Sequence, residues 1–422
     1  MTLGGDSGDR WASELDVRAS WPEGRPDPGR GGLGARRKIL ILMADTGGGH
    51  RSAAQALAEA FVEQEPTVEV VSVDALRHHA PFPINYVHLT YRPLVNHGRW
   101  LWAKAWYLTS SARRVGRVQR LLRPVARRRL AALYRSQRPD LVVSVHPLLT
   151  HVPLGVLRQT LPGVPFAIVV TDLVSVHPAW LCPEADLVCV PTEAAGRLAR
   201  AAGLPEERVR VLGLPVGRKF VQTAALLREG KETRSSLRRR LGLSDDLPVV
   251  LLSGGGEGLG PVYRIVQALA VALGQGGEPA GQLVVVCGRN RALQRRLEDT
   301  RWPIPVHVTG FVTNMPEWMG AADLLITKAG PGTISEALVM GLPILLYGYV
   351  PGQEEGNVPY VVEQGVGAYE PDPFRLAARV AGWLQDGDPT LMAMAARARV
   401  LAKPHAAGEI ARALLKLPAM AF

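Results

Sequence analysis

The sequence predicts an α/β protein of two doubly wound, Rossmann-like parallel-sheet domains with a cleft between them. Three observations carry that expectation. Short, continuous apolar runs, suited to strands buried on both faces, alternate with segments of helical period. The alternation is interrupted by a charged stretch and then restarts. The 422 residues exceed one compact layer stack and suit two domains, with 47% hydrophobic and 21% charged residues to build their cores and surfaces.

Taken in order, residues 1–35 hold eight Gly and three Pro without hydrophobic period and read as a disordered tail. The opening stretch has neither a basic nor an apolar segment of secretory type. KILILMAD (38–45) is a buried strand, TGGGH (46–50) a glycine turn, and SAAQALAEAFVEQ (52–64) a helix. Strands follow in VEVVSVDAL, PDLVVSVHP (139–147), PFAIVVTDL (165–173) and DLVCVPT (186–192), the last leading into helical EAAGRLARAAGL. Residues 36–215 form the first domain and the Arg-rich stretch 216–246 a linker. The pattern then restarts over 247–390 with LPVVLLSGGGEG, helical VYRIVQALAVAL, QLVVVCGRN, PVHVTGF, ADLLITKAG, helical SEALVMG and LPILLY. Residues 391–422 read as closing helices. In such sheets ligands gather at the carboxyl ends of the strands, where the glycine turns lie.

The net charge is +11, and its distribution is uneven. Residues 99–138 contain twelve Lys/Arg and no acid, so the rest of the chain sums to −1. Trp100, Trp102 and Trp106 open that segment, and Trp102 and Trp106 share a helix face. Aromatic rings settle at lipid headgroups and basic residues are drawn to anionic lipid, which makes this a candidate membrane-docking element. A solvated basic helix face competes evenly on composition, and a nucleic-acid patch stands behind both, unsupported by any signature. The three cysteines form no CxxC and no Cys/His cluster of zinc spacing, so neither disulfides nor a structural zinc site is expected, and a reducing cytoplasm fits. No apolar run approaches the roughly 20 residues of a membrane span.

Three glycine turns, at 47–49, 254–258 and 330–332, each lie between an apolar strand and a helix. Glycine permits close approach of backbone to ligand, and free N–H groups at a helix start favour phosphate. None has the GxxxxGK[ST] pattern, and GGGEGLG (254–260) lacks the third glycine of GxGxxG. A phosphate-bearing ligand held without a Walker lysine remains. Lys328, just before the third turn, is placed to neutralise it. Glu336, one helical turn further on, suits a ribose diol, although a carboxylate there also complements the helix dipole.

Together these motifs resemble the monogalactosyldiacylglycerol synthases, GT-B glycosyltransferases related to the lipid II N-acetylglucosaminyltransferase and the diacylglycerol glucosyltransferases. The matching stretches are DTGGGHRSAA (45–54), PDLVVSVHPLLTHVPL (139–154), VVTDL (169–173), HPAW (177–180), GLPV (213–216), LLSGGGEGLGP (251–261), CGRN (287–290), TKAGPGTISEAL (327–338) and PGQEEGNVPYVV (351–362). They cover residues 37–405, whereas the tail and the extreme arginine content of 99–138 are particular to this sequence.

The resemblance implies inverting transfer of galactose from UDP-galactose to 1,2-diacylglycerol, forming a β-linkage. His50 is the implied base, with a pKa of roughly 6.5 when unperturbed; Asp172 and Asp45 are the alternatives for base or orienter. It places uracil at Phe311 and Val312, ribose on Glu336, and diphosphate at Gly254, Gly255, Gly330, Gly332 and Thr333 beside Lys328. The hexose falls to Gln353 and Glu354 with Asn357 nearby, and acceptor or membrane contacts to Gly49, His177, Trp180 and the three tryptophans of 100–106. Backbone N–H groups at a helix N-terminus take a metal's place at the diphosphate, and Asp386-Gly387-Asp388 reads as a turn, so no cofactor and no metal are expected. The enzyme is expected to sit peripherally on the cytoplasmic face of an anionic membrane, without nucleic acid. A UDP-glucose-dependent diacylglycerol glucosyltransferase is the nearest alternative, followed by a lipid I glycosyltransferase. A non-catalytic sugar-nucleotide or anionic-lipid binding protein is the alternative from another class.

Overall fold

The computed structural model describes residues 36–418 apart from 46–47, 81–84, 86–97, 257, 259 and 386–387. The expected tail at 1–35, Gly47 of the first turn and the Asp386-Gly387 turn lie outside the described residues. Two six-stranded sheets, parallel throughout, form the two lobes. The first comprises β1 (Lys38–Met43), β2 (Glu69–Asp74), β3 (Leu141–Ser144), β4 (Phe166–Val169), β5 (Leu187–Val190) and β6 (Val209–Val211), in the order β2-β1-β3-β4-β5-β6. The second comprises β7 (Val249–Ser253), β8 (Gln282–Val286), β9 (Val306–Thr309), β10 (Leu324–Lys328), β11 (Ile344–Gly348) and β12 (Gly367–Tyr369), in the order β12-β11-β10-β7-β8-β9.

The apolar runs are continuous because helices cover both faces. In β1, Ile39 and Ile41 face helix Gly49–Gln64 through Leu57 and Phe61, while Leu40 and Leu42 face Tyr134 and Leu130 of helix Ala112–Gln137. All four are fully buried. In the second lobe, Leu251 and Leu325 pack with Ile334 and Leu338 of helix Pro331–Met340. Leu252 and Ile326, on the opposite face, pack with Ile265 and Leu269 of helix Val262–Gly274. Burial at about 25 cal/mol per Å2 of apolar surface makes these cores the main stabilising contribution.

The residues expected as a linker are largely helical. Helices Arg218–Arg228 and Arg234–Arg240 pack through Ala224 and Leu237 into the second lobe's core. Arg238 is buried there, with its guanidinium 2.6 Å from Asp323, which also accepts from the Val249 N–H at 2.7 Å. The chain returns at its end. Helix Thr390–Leu401 lies on Pro331–Met340, whereas Ile410 and Leu414 of helix Ala406–Leu415 complete the first lobe's core. The outgoing and returning segments touch at Gly213, whose φ is +101° and where an added Cβ would lie 2.7 Å from that of Lys403.

The strand orders position the site. Each sheet reverses its winding beside its first strand, between β1 and β3 and between β7 and β10. At such switch points the loops leaving neighbouring strands diverge and open a crevice.

Candidate active site

On the first lobe, Gly48 adopts a left-handed conformation (φ 86°) that turns the chain into helix Gly49–Gln64. Gly49 begins that helix and His50 follows as its second residue. The His50 ring is buried against Val145, at the end of β3, whose carbonyl oxygen is 2.8 Å from Nδ1. A carbonyl only accepts, so Nδ1 carries the proton and Nε2 is the basic atom. Thr171 Oγ1, 2.9 Å from Nδ1, supports the same orientation. Burial lowers the His50 pKa to about 4, keeping the imidazole neutral. His146 packs edge-on at 4.5 Å. Asp45 is held in an ion pair with Arg51, and the groups that orient His50 are Val145 and Thr171.

Asp172 follows Thr171 and is also buried. Desolvation raises its pKa to about 7, partly offset by hydrogen bonds from Trp180, from the His177 backbone and from Gln353 of the opposite lobe. The Trp180 indole donates to Oδ2 at 2.7 Å. Trp180 is fully buried, which makes it a support for Asp172 instead of the expected acceptor contact. His177 caps its own turn, with Nδ1 accepting from the Ala179 N–H at 3.1 Å, and burial lowers its pKa to about 4.

The second lobe supplies the loops that leave β7, β9, β10 and β11. Gly254 and Gly255 leave β7, with the Lys328 side chain passing about 3.6 Å from where a Gly255 Cβ would stand. Gly330 caps helix Pro331–Met340, whose first internal hydrogen bond runs from the Ile334 N–H to the Gly330 carbonyl. The Gly332 and Thr333 N–H groups therefore lack intrahelical acceptors, as at any helix start, and are available to an anion. Glu336 on this helix has its pKa raised by burial to about 8.

Lys328 is paired with Glu354, whose other oxygen accepts from the Val350 N–H at 2.9 Å. Asn357, expected near the hexose, is completely buried and donates through Nδ2 to the Ala329 carbonyl at 2.8 Å. It braces the 329–332 turn from beneath. Val312 is half-buried, and Phe311 is exposed beneath the Arg289 guanidinium, 5.0 Å from its ring centre, at the rim of a cavity of about 800 Å3. Arg289 stands in the CGRN stretch, which the sequence reading noted without assigning a role.

Helix Arg99–Thr109 bridges the lobes. Trp102 and Trp106 do share a face, with ring centres 6.3 Å apart, but it turns inward. Trp106 packs at 4.6 Å on His177 and against Gly352 of the loop after β11. Tyr107 donates at 2.7 Å to Glu355. Trp100, Leu101, Lys104, Tyr107 and Leu108 form the exposed stripe, with Trp100 71% exposed. Among the described residues, no helix is long and apolar enough to cross a membrane.

The arrangement holds a neutral imidazole and a buried carboxyl on one lobe opposite an anion cradle and polar side chains on the other. That is the equipment of group transfer from a phosphate-bearing donor. Residues 50–216 match the monogalactosyldiacylglycerol (MGDG) synthase family and 249–398 the glycosyltransferase family 28 C-terminal domain. Monogalactosyldiacylglycerol synthase 1 of Arabidopsis thaliana is 43% identical over 382 residues, 89% of this chain and 70% of that protein. The spinach (Spinacia oleracea) synthase is 42% identical over 90% of this chain and 72% of its own length. Among solved structures, Acinetobacter baumannii MurG superposes with a TM-score of 0.59 at 18% identity, over 90% of this chain and all of that one. The Staphylococcus aureus MnaA–UDP complex gives 0.56 at 17%, over 89% and 94%. Both share the two-lobed GT-B fold.

Proposed function

The chain belongs to the monogalactosyldiacylglycerol synthase family and is a hexosyltransferase, and from that premise we propose that it moves galactose from UDP-galactose to the sn-3 hydroxyl of 1,2-diacylglycerol. His50 carries the proposal. Its Nδ1–H is committed to Val145, which leaves a neutral Nε2 to take the acceptor's proton. The acceptor oxygen then bonds to the anomeric carbon as the bond to UDP breaks on the opposite face, giving the β-product. Charge leaving on the diphosphate is met by the Gly332 and Thr333 N–H groups and by Lys328, which exchanges Glu354 for phosphate oxygens. In this reading no metal is needed at the diphosphate. Glu336 takes the ribose hydroxyls, the Phe311–Val312 turn the uracil, and Gln353 and Glu354 the hexose.

An acceptor with two acyl chains stays in its bilayer, so the enzyme must dock there. The exposed stripe on Arg99–Thr109 offers an aromatic and aliphatic face, and the basic residues through 138 provide attraction to anionic lipid on the cytoplasmic face. The test is turnover of UDP-galactose against UDP-glucose on diacylglycerol in phosphatidylglycerol vesicles, with His50→Ala as control. Galactose transfer that collapses in the variant supports the proposal. Glucose preference would replace the donor, and turnover of neither donor would return the chain to a binding role.

A further inference from the structure

Away from the transfer site, His151, Cys182 and Glu184 bring one nitrogen, one sulfur and one oxygen ligand atom within 4.8 Å of one another. We propose that this trio is a structural zinc site. Cys182 Sγ lies 3.3 Å from Glu184 Oε2, close to the edge of a tetrahedron with zinc–sulfur and zinc–oxygen bonds of about 2.3 and 2.0 Å. His151 Nε2 is buried without a hydrogen-bond partner among the described residues, an arrangement that costs free energy unless something binds it. Thiolate and carboxylate together balance a dication, and a mixed N, S, O set suits zinc better than magnesium or calcium. Binding sends the thiol proton to solvent, and exposed Glu184 leaves the fourth position to water. Spacing could not reveal the trio, because its members come from two segments far apart in sequence.

The metal's work would be mechanical. His151 opens helix His151–Thr160, next to the turn carrying His146, and Cys182 follows the turn Pro178–Trp180. These segments already meet through Thr150 Oγ1, which donates to the Ala179 carbonyl at 2.6 Å. Zinc would pin them together and so fix His177 and Trp180 on the acceptor-side wall.

The test is titration of the chelator-stripped full chain with Co(II), then Zn(II). The expected result is one thiolate-to-cobalt charge-transfer band, displaced by zinc, and a melting temperature that rises with zinc. Cys182→Ser should abolish the band and Cys189→Ala should leave it. His151→Gln and Glu184→Gln should each weaken binding at least about tenfold. A folded wild-type chain with no cobalt band and no zinc-dependent melting shift would overturn the site, as would a band that survives in Cys182→Ser. The wild-type measurement decides even if a variant fails to fold.

Discussion

At the scale of single residues, the two candidate bases titrate in different places, and that difference separates them. With His50 as the base, kcat/KM should hold down to about pH 4 before its acid limb falls. If ionised Asp172 were the base, the limb would fall near pH 7. A pH–rate profile decides, and His50→Ala should lower kcat by about 10²–10⁴-fold. Asp172 has an effect on stability with a definite sign. Its folded pKa lies above its unfolded value of 3.8, so between the two values the native state binds more protons and stability falls as pH rises. Asp172→Asn keeps an acceptor for the Trp180 indole and should be more stable than wild type by a few kcal/mol (roughly) at pH 8, converging with it near pH 4, as followed by urea melts. On the donor side, Glu336→Gln should raise KM for the sugar nucleotide about tenfold with little change in kcat. Histidine, aspartate and glycine motifs were legible in the sequence. Their partners were not, because the Val145 carbonyl and the Thr171 hydroxyl reach His50 only through strand neighbours, and a backbone acceptor leaves no mark in the sequence.

At the scale of elements, helix Arg99–Thr109 presents two different faces. Replacing Trp100 and Leu101 by Ser touches only the exposed stripe. It should reduce sedimentation with phosphatidylglycerol vesicles while sparing the melting temperature. The inner face meets the loop that carries Gln353 and Glu354. Gly352 has φ +76°, and a Cβ there would stand 2.2 Å from the Trp106 ring. Gly352→Ala should therefore cost about 1–3 kcal/mol, read by urea melts, and raise KM for the sugar nucleotide. The sequence pattern marks Trp100, Trp102 and Trp106 alike as acceptor or membrane contacts, yet Trp100 lies on the exposed stripe whereas Trp102 and Trp106 turn inward, since spacing fixes which residues share a face and not what that face meets. The same limit explains β6 and β12, two three-residue edge strands, VRV and GAY, with no apolar run to announce them. Within the Arg-rich stretch 216–246, Arg238 is buried because Asp323 neutralises it, a pairing across 85 residues that local composition does not reveal.

At the scale of the molecule, the doubly wound architecture and the cleft were readable because strands buried on both faces must be apolar throughout, a pattern that survives without any tertiary knowledge. The path of the chain was not readable, since the helix Ala406–Leu415 looks alike whichever lobe receives it. That path has a mechanical result. Two segments pass between the lobes and lie in contact at Gly213 and Lys403. A single tether would allow one lobe to swivel freely on the other. A pair of adjacent tethers instead resists twisting of one lobe against the other, so that the mutual placement of His50 and the Gly332–Thr333 amides is fixed by two passages of the backbone and not by one.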